Sequence, residues 1–123
     1  MADFPSPAAA VVGAALDRLN IRYQLHRHQA VQTCAEAAEH VRGVPGTPTK
    51  CLLLKTDNDE FFLAILPCAR RLDLKSMAAA LGGGRLSFAT TDELRTLLHV
   101  TPGSISPFGL LHDPDGKVEV IID

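Results

Sequence analysis

Residues 50–66 read KCLLLKTDNDEFFLAIL, two short apolar runs parted by Asp57-Asn58-Asp59. Apolar runs of this length, bounded by turn formers, are strand signals, and three turn residues between them predict a β-hairpin over 50–56 and 60–66. Alternate side chains of a strand share a face. Lys50 therefore lies on the side of Leu52 and Leu54, while Cys51, Leu53 and Lys55 point the other way.

Helix and strand signals alternate around the hairpin. Ser6-Pro7 is a cap followed by proline at the first helical position, and the apolar series runs to Leu19 before Asn20 ends it. Ile21, Tyr23 and Leu25 alternate with polar residues and predict a half-buried strand. Thr33 and Glu36 form a capping box for a short helix closed by Gly43, and VPGTPT at 44–49 reads as a rigid loop. Asp73 caps a helix through Leu81, stopped by Gly82, Gly83 and Gly84. A short strand over 85–88 precedes Thr90 and Glu93, a second capping box whose helix reaches Leu98. Leu110-Leu111 and residues 118–122 flank Asp113-Pro-Asp-Gly116, a turn signature. The expectation is an α+β fold, with about four short helices among roughly five or six strands in a mixed, largely antiparallel, mostly hairpin-connected sheet. No linker or low-complexity tract divides residues 1–123, so they read as one domain.

Composition excludes several classes. A 46% hydrophobic share with 21% charged residues is that of a globular protein, not a disordered one. Runs such as 61–67 are too short to cross a bilayer, and the opening residues lack the basic region of a signal peptide. A cytoplasmic protein with no membrane partner is expected. The formal charge of −2 argues against a strongly basic nucleic-acid binder, though not against a local basic patch. Cys34, Cys51 and Cys68 are odd in number with no CxxC pair, which suggests reduced thiols and no disulfide framework. Their even spacing marks no repeat, because the flanking residues share nothing.

Two segments can carry chemistry. Lys50 leads an apolar face directly after a rigid loop. It is either a lysine whose stem packs while its ammonium reaches water, or a cation aimed into a pocket for an anionic or carbonyl group. PGSISPFG at 102–109 sets Gly103 and Pro107 around Ser104 and Ser106. It is either a structural turn or a stiff wall whose amides and hydroxyls meet a carbonyl or oxyanion. His26 and His28 share a strand face without a third ligand, so they read as a surface pair rather than a metal site. The glycine run at 82–84 has no preceding strand and no following Lys-Ser/Thr, and is no phosphate loop. His99 and His112 have no spacing that joins them to Ser104 or Ser106 as a nucleophile triad.

In this order the elements resemble the prolyl-tRNA editing family, the YbaK/ProX-like aminoacyl-tRNA deacylases, over nearly the whole chain. The resemblance rests on the approach to His26 and His28, the helix at Thr33 and Glu36, and Lys50 opening an apolar strand. It continues through LDLKSMAAALGGGRLSF at 72–88, Asp92-Glu93-Leu94 and PGSISPFGLLHD at 102–113. PGSISPFGLL is closer to the alanyl-prolyl-tRNA branch (ProX or PrdX) than to the cysteinyl branch.

The resemblance implies hydrolysis of the ester between a wrong amino acid and the terminal adenosine of proline tRNA, alanine above all, without metal or cofactor. It implies that Lys50 is the essential lysine, anchoring the substrate near its terminal nucleotide. Gly103, Ser104, Ile105, Ser106 and Pro107 match the loop whose backbone holds the aminoacyl ester, and His28 and Cys51 are further pocket candidates. The nucleophile is then the 2′-hydroxyl of the terminal ribose or a water it orients. A stiff wall suits this task, since one methylene is worth only about 1–3 kcal/mol of discrimination.

Two departures bear on the reading. Many relatives of the alanine branch carry Lys-Asn where this chain has Lys50-Cys51, which leaves Cys-, Ser- and Thr-charged tRNA open as substrates. Relatives also continue past the position of Asp123 with a strand and helix that include a His-Pro segment. A short or compact domain is expected, with a non-catalytic tRNA-binding or synthetase-associated module as the alternative. The partners implied are the acceptor end of mischarged tRNA and prolyl-tRNA synthetase. KVEVIID, as an exposed edge, offers a homodimer contact.

Overall fold

The hairpin forms as its sequence predicts. Strand β1 (Thr49–Thr56) pairs antiparallel with β2 (Phe61–Pro67) in the computed structural model, which describes residues 4–31 and 33–123. Its turn closes because the Thr56 hydroxyl accepts from the amides of Asn58 and Glu60 at 3.3 and 3.2 Å. Asp59 takes a φ of 57° there, a left-handed conformation that a short polar residue tolerates. Strand β3 (Leu86–Phe88) adds antiparallel to β1, and β4 (Val118–Ile122) adds parallel to β2, giving the order β3-β1-β2-β4. The sheet is mixed and largely antiparallel, and the fold is α+β.

The chain divides into two units, 1–31 and 32–123. In the first, helix α1 (Pro7–Arg18) starts where the Ser6 hydroxyl accepts from the Ala9 amide at 3.1 Å. A Cβ on Gly13 would fall on the Phe4 ring, so only glycine lets that ring lie against the helix. In the second unit, α2 (Cys34–His40) is capped by Thr33, α3 (Leu74–Ala80) by Asp73 and α4 (Thr91–Leu98) by the reciprocal Thr90–Glu93 box.

Strand alternation sends the apolar side chains of the hairpin to both faces. Leu54, Phe62, Ala64 and Leu66 pack with Leu86 and with Ala78 of α3. Leu53, Leu63 and Val118 pack on the other face with Leu94 and Leu98 of α4. Leu53, Leu54, Leu63 and Leu98 are fully buried, and cutting any of them to alanine costs about 2–5 kcal/mol. Lys55 pairs with Glu93 at 3.0 Å, with side chains only 26% and 24% exposed, and so fastens α4 onto β1.

Two expectations are corrected. Residues 21–31 form no strand: they find no ladder partner among the described residues, and Ile21 and Leu25 stay 48% and 42% exposed. Leu110 and Leu111 lie in a 3-10 helix (Pro107–His112), not in a strand beside a hairpin turn. The Asp113 turn does form, its carboxylate accepting from the amides of Lys117 and Val118, but it feeds β4 to the far side of β2. The described residues thus hold four strands. None of their helices is long and apolar enough to cross a membrane.

Candidate active site

Lys50 is half-buried, the second residue of β1, directly across from Leu66. Its side chain therefore leads the Leu54 and Leu66 face. One step beyond the last pair of the ladder, the Cys68 amide donates to the Pro48 carbonyl at 2.9 Å. This brings Cys68 to the Lys50 side of the sheet. Cys34, the first residue of α2, lines the same cavity as Cys68, and its thiol is close enough to act on the Cys68 thiol. Together α2, the 44–49 loop and Cys68 surround this cavity of about 310 Å³, with Cys34, Ala38, Val41, Pro45, Pro48 and Cys68 in its lining. Burial, and then the neighbouring Cys34 thiol, push the Cys68 thiol up to about 11, while the Lys50 ammonium pulls it the other way. Lys50 shares its sheet face with Cys68 and follows Thr49, both of which line the cavity, and this sets it beside the cavity wall.

The second predicted segment is held at its own ends. Gly103 has a φ of 89° and faces open space, so a glycine is required for the backbone rather than for room. The Ser104 amide donates to the Thr101 carbonyl at 3.0 Å. Ser106 caps the 3-10 helix, its hydroxyl accepting from the Phe108 amide at 3.2 Å, with Pro107 at the first helical position. Of the donors expected from this loop, the Ser104 amide is thus already engaged and the Ser106 hydroxyl is occupied as a cap. The Ile105 and Ser106 amides take no acceptor among the described residues.

The structure groups the predicted residues unevenly. Ile105 packs against the same cluster as Cys51, on the Leu53 face, where burial raises the Cys51 thiol. Lys50 alternates onto the opposite face. His28 belongs to the first unit, where its Nδ1 donates to the Gln29 carbonyl at 2.7 Å. Cys34 and Cys68, near the lysine, were not singled out from the sequence as site residues. Carrying the hairpin register one step past Thr49 and Pro67 would have found Cys68, whereas nothing local announces Cys34. Among the described residues, no group of three or more His, Cys, Asp or Glu side chains is arranged to hold a metal ion.

Residues 28–123 match the model of the aminoacyl-tRNA editing domain. The chain belongs to the aminoacyl-tRNA editing family. Its relatives in that family include the prolyl-tRNA editing protein ProX of Acetoanaerobium sticklandii, 33% identical over 117 residues, which are 94% of this chain and 71% of that protein. The multifunctional Ser/Thr-tRNA deacylase ProXp-y of Escherichia coli K12 is 32% identical over 99 residues, 77% of this chain and 59% of that protein. A crystal structure of a candidate trans-editing enzyme for prolyl-tRNA synthetase superposes with a TM-score of 0.70 at 28% identity, covering 86% of this chain and 68% of that one. The chain thus spans between 59% and 71% of the length of these editing-family proteins. They confirm the YbaK/ProX-like resemblance drawn from the sequence.

Proposed function

We propose that this chain is a trans-editing deacylase that hydrolyses the ester of mischarged proline tRNA, with Ala-tRNA(Pro) as leading substrate. The observation that carries this is Lys50, a half-buried ammonium at the start of a core strand beside a small, largely apolar cavity, in a chain of the editing family. An aminoacyl ester is activated already, so positioning and oxyanion support suffice and no strong nucleophile is needed. Lys50 anchors the anionic terminal nucleotide by charge. The Ile105 and Ser106 amides, without acceptors of their own, donate to the ester oxygen as negative charge develops on it. The 2′-hydroxyl of the terminal ribose, or a water it orients, attacks the carbonyl. A substrate that meets both Lys50 and this loop passes around the N-terminal end of β1, because the two lie on opposite faces of the strand.

A second substrate reading has its own support. ProXp-y is named a Ser/Thr-tRNA deacylase, and the cavity beside Lys50 also carries Thr47 and Thr49, whose hydroxyls suit a polar amino acid. The remaining proposals follow from the main one: action in the cytoplasm, where tRNA is charged, beside prolyl-tRNA synthetase. Strand β4, an edge with Ile122 74% exposed, is the proposed contact between two copies. The test is release of free amino acid from proline tRNA charged with Ala, Cys, Ser or Thr, with and without EDTA. Fastest release from the alanyl ester, unchanged by chelation, supports the proposal. Salt-sensitive binding without release would mark a non-catalytic tRNA module instead.

A further inference from the structure

The three cysteines are evenly spaced in sequence, and two of them, Cys34 and Cys68, meet at one end of the hairpin. Cys68 lengthens the β1–β2 ladder through the Pro48 carbonyl, and Cys34 arrives from α2 to share one cavity wall with it. Both line the cavity beside β1, and Cys51 sits behind them on the opposite strand face. All three are free and half-buried. The deacylation scheme uses no thiol, so their convergence is unexplained by it.

We infer that Cys34 and Cys68 form an oxidisable dithiol, closed to an intramolecular disulfide by a peroxide, and that the disulfide narrows the cavity beside Lys50. Closure needs the sulfurs to approach to about 2.05 Å. Helix α2 can supply that movement, because it is seven residues long and buries none of them. Cys34, carried by the short α2, takes the oxidant, and Cys68, fixed at the end of the ladder, resolves it. The Cys34 thiolate attacks one peroxide oxygen, the O–O bond breaks, and Cys34 becomes a sulfenic acid while hydroxide leaves and is protonated to water. The Cys68 sulfur then attacks the sulfenic sulfur, giving up its proton as a second water leaves. The balance is two thiols and one hydrogen peroxide to one disulfide and two waters. The Lys50 charge assists the second step by favouring the Cys68 thiolate. The loss of turnover rests on the function proposed above, whereas the disulfide does not.

The experiment treats the full chain with hydrogen peroxide and reads thiols and turnover separately. Titratable thiols are expected to fall from three to one. Peptide mapping should join Cys34 to Cys68 within one chain, and the melting temperature should rise, as a new cross-link predicts. Cys51→Ser should still form the bond, while Cys34→Ser and Cys68→Ser should not. Deacylation should drop by about ten-fold or more, as a displaced site predicts, and return with dithiothreitol. Three surviving thiols, over-oxidation of a single cysteine, or a cross-link that includes Cys51 would overturn the dithiol. A Cys34–Cys68 bond with unchanged turnover would overturn the gating. A bond in a protein that, even reduced, deacylates no charged tRNA would instead overturn the proposed function.

Discussion

The imidazoles of His99 and His112 stack with centroids 4.2 Å apart and planes 13° from parallel. His99 ends α4 in a left-handed conformation and His112 ends the 3-10 helix, so the pair closes the segment that carries Gly103 and Ser106. A Cβ on Gly109 would lie 3.0 Å from the Leu98 Cβ, which shows how tightly the same two elements meet. A stacked aromatic pair contributes about 0.5–1.5 kcal/mol. His112→Ala should therefore lower the melting temperature by only a few degrees, while KM for charged tRNA rises as the loop loosens. His112→Phe keeps the stack and should restore both values. Equal losses in the two variants would assign the effect to the imidazole nitrogens instead.

Gly103→Ala separates backbone strain from substrate contact. A Cβ there meets no atom within 4 Å, so the folded chain has room for it, but a φ of 89° resists any side chain. The strain should cost about 1–2 kcal/mol and show in the melting curve. Deacylation should fall further than this strain accounts for, in samples fully folded at the assay temperature, as the proposed contact between the loop backbone and the ester requires. Ser106→Ala should instead lose stability through the missing cap, by about 1 kcal/mol. A folded Gly103→Ala protein with full activity on every charged tRNA would reduce the loop to a structural turn.

Acid should loosen α4. The Thr90 backbone amide first, and the Lys55 ammonium second, hold the Glu93 carboxyl below the usual glutamate range. A depressed folded-state value means that the stabilisation is complete above the unfolded-state value and is lost as pH falls through the folded one. Asp73, capping α3 and lowered chiefly by its hydrogen bond to the Ser76 hydroxyl, acts in the same direction and window. Melting temperatures measured from neutral pH to about pH 3 should fall for the wild type. For Glu93→Gln they should start lower at neutral pH and fall less. Parallel curves would show that Glu93 does not carry the acid sensitivity.

Much of the fold was legible because it is locally encoded. The hairpin, the Asp73 and Thr90 caps and the Asp113 turn all rest on residues a few positions apart, and all appear. Ser6-Pro7 was legible as a cap, and Ser106-Pro107 is the same signal with the same outcome. The alternation of Ile21, Tyr23 and Leu25 describes a strand, but a strand also needs a partner edge, which sequence period does not supply. The parallel return of β4 to β2 depends on where α3, β3 and α4 carry the chain, and no short pattern states that. Of the site, Lys50 and its strand face were readable from alternation. The approach of Cys34 was not, since it depends on how α2 packs.

The central claim is that Lys50 acts on substrate, and single-turnover deacylation of Ala-tRNA(Pro) by Lys50→Ala tests it most directly. Lys55, on the opposite face and bound to Glu93, is the comparison, because its loss costs stability without touching the cavity. The account predicts that Lys50→Ala keeps the wild-type fold and loses activity by about a hundred-fold or more. Lys55→Ala should melt earlier yet turn over normally per folded molecule. Wild-type turnover in Lys50→Ala, or an equal loss in folded Lys55→Ala, would contradict the assignment.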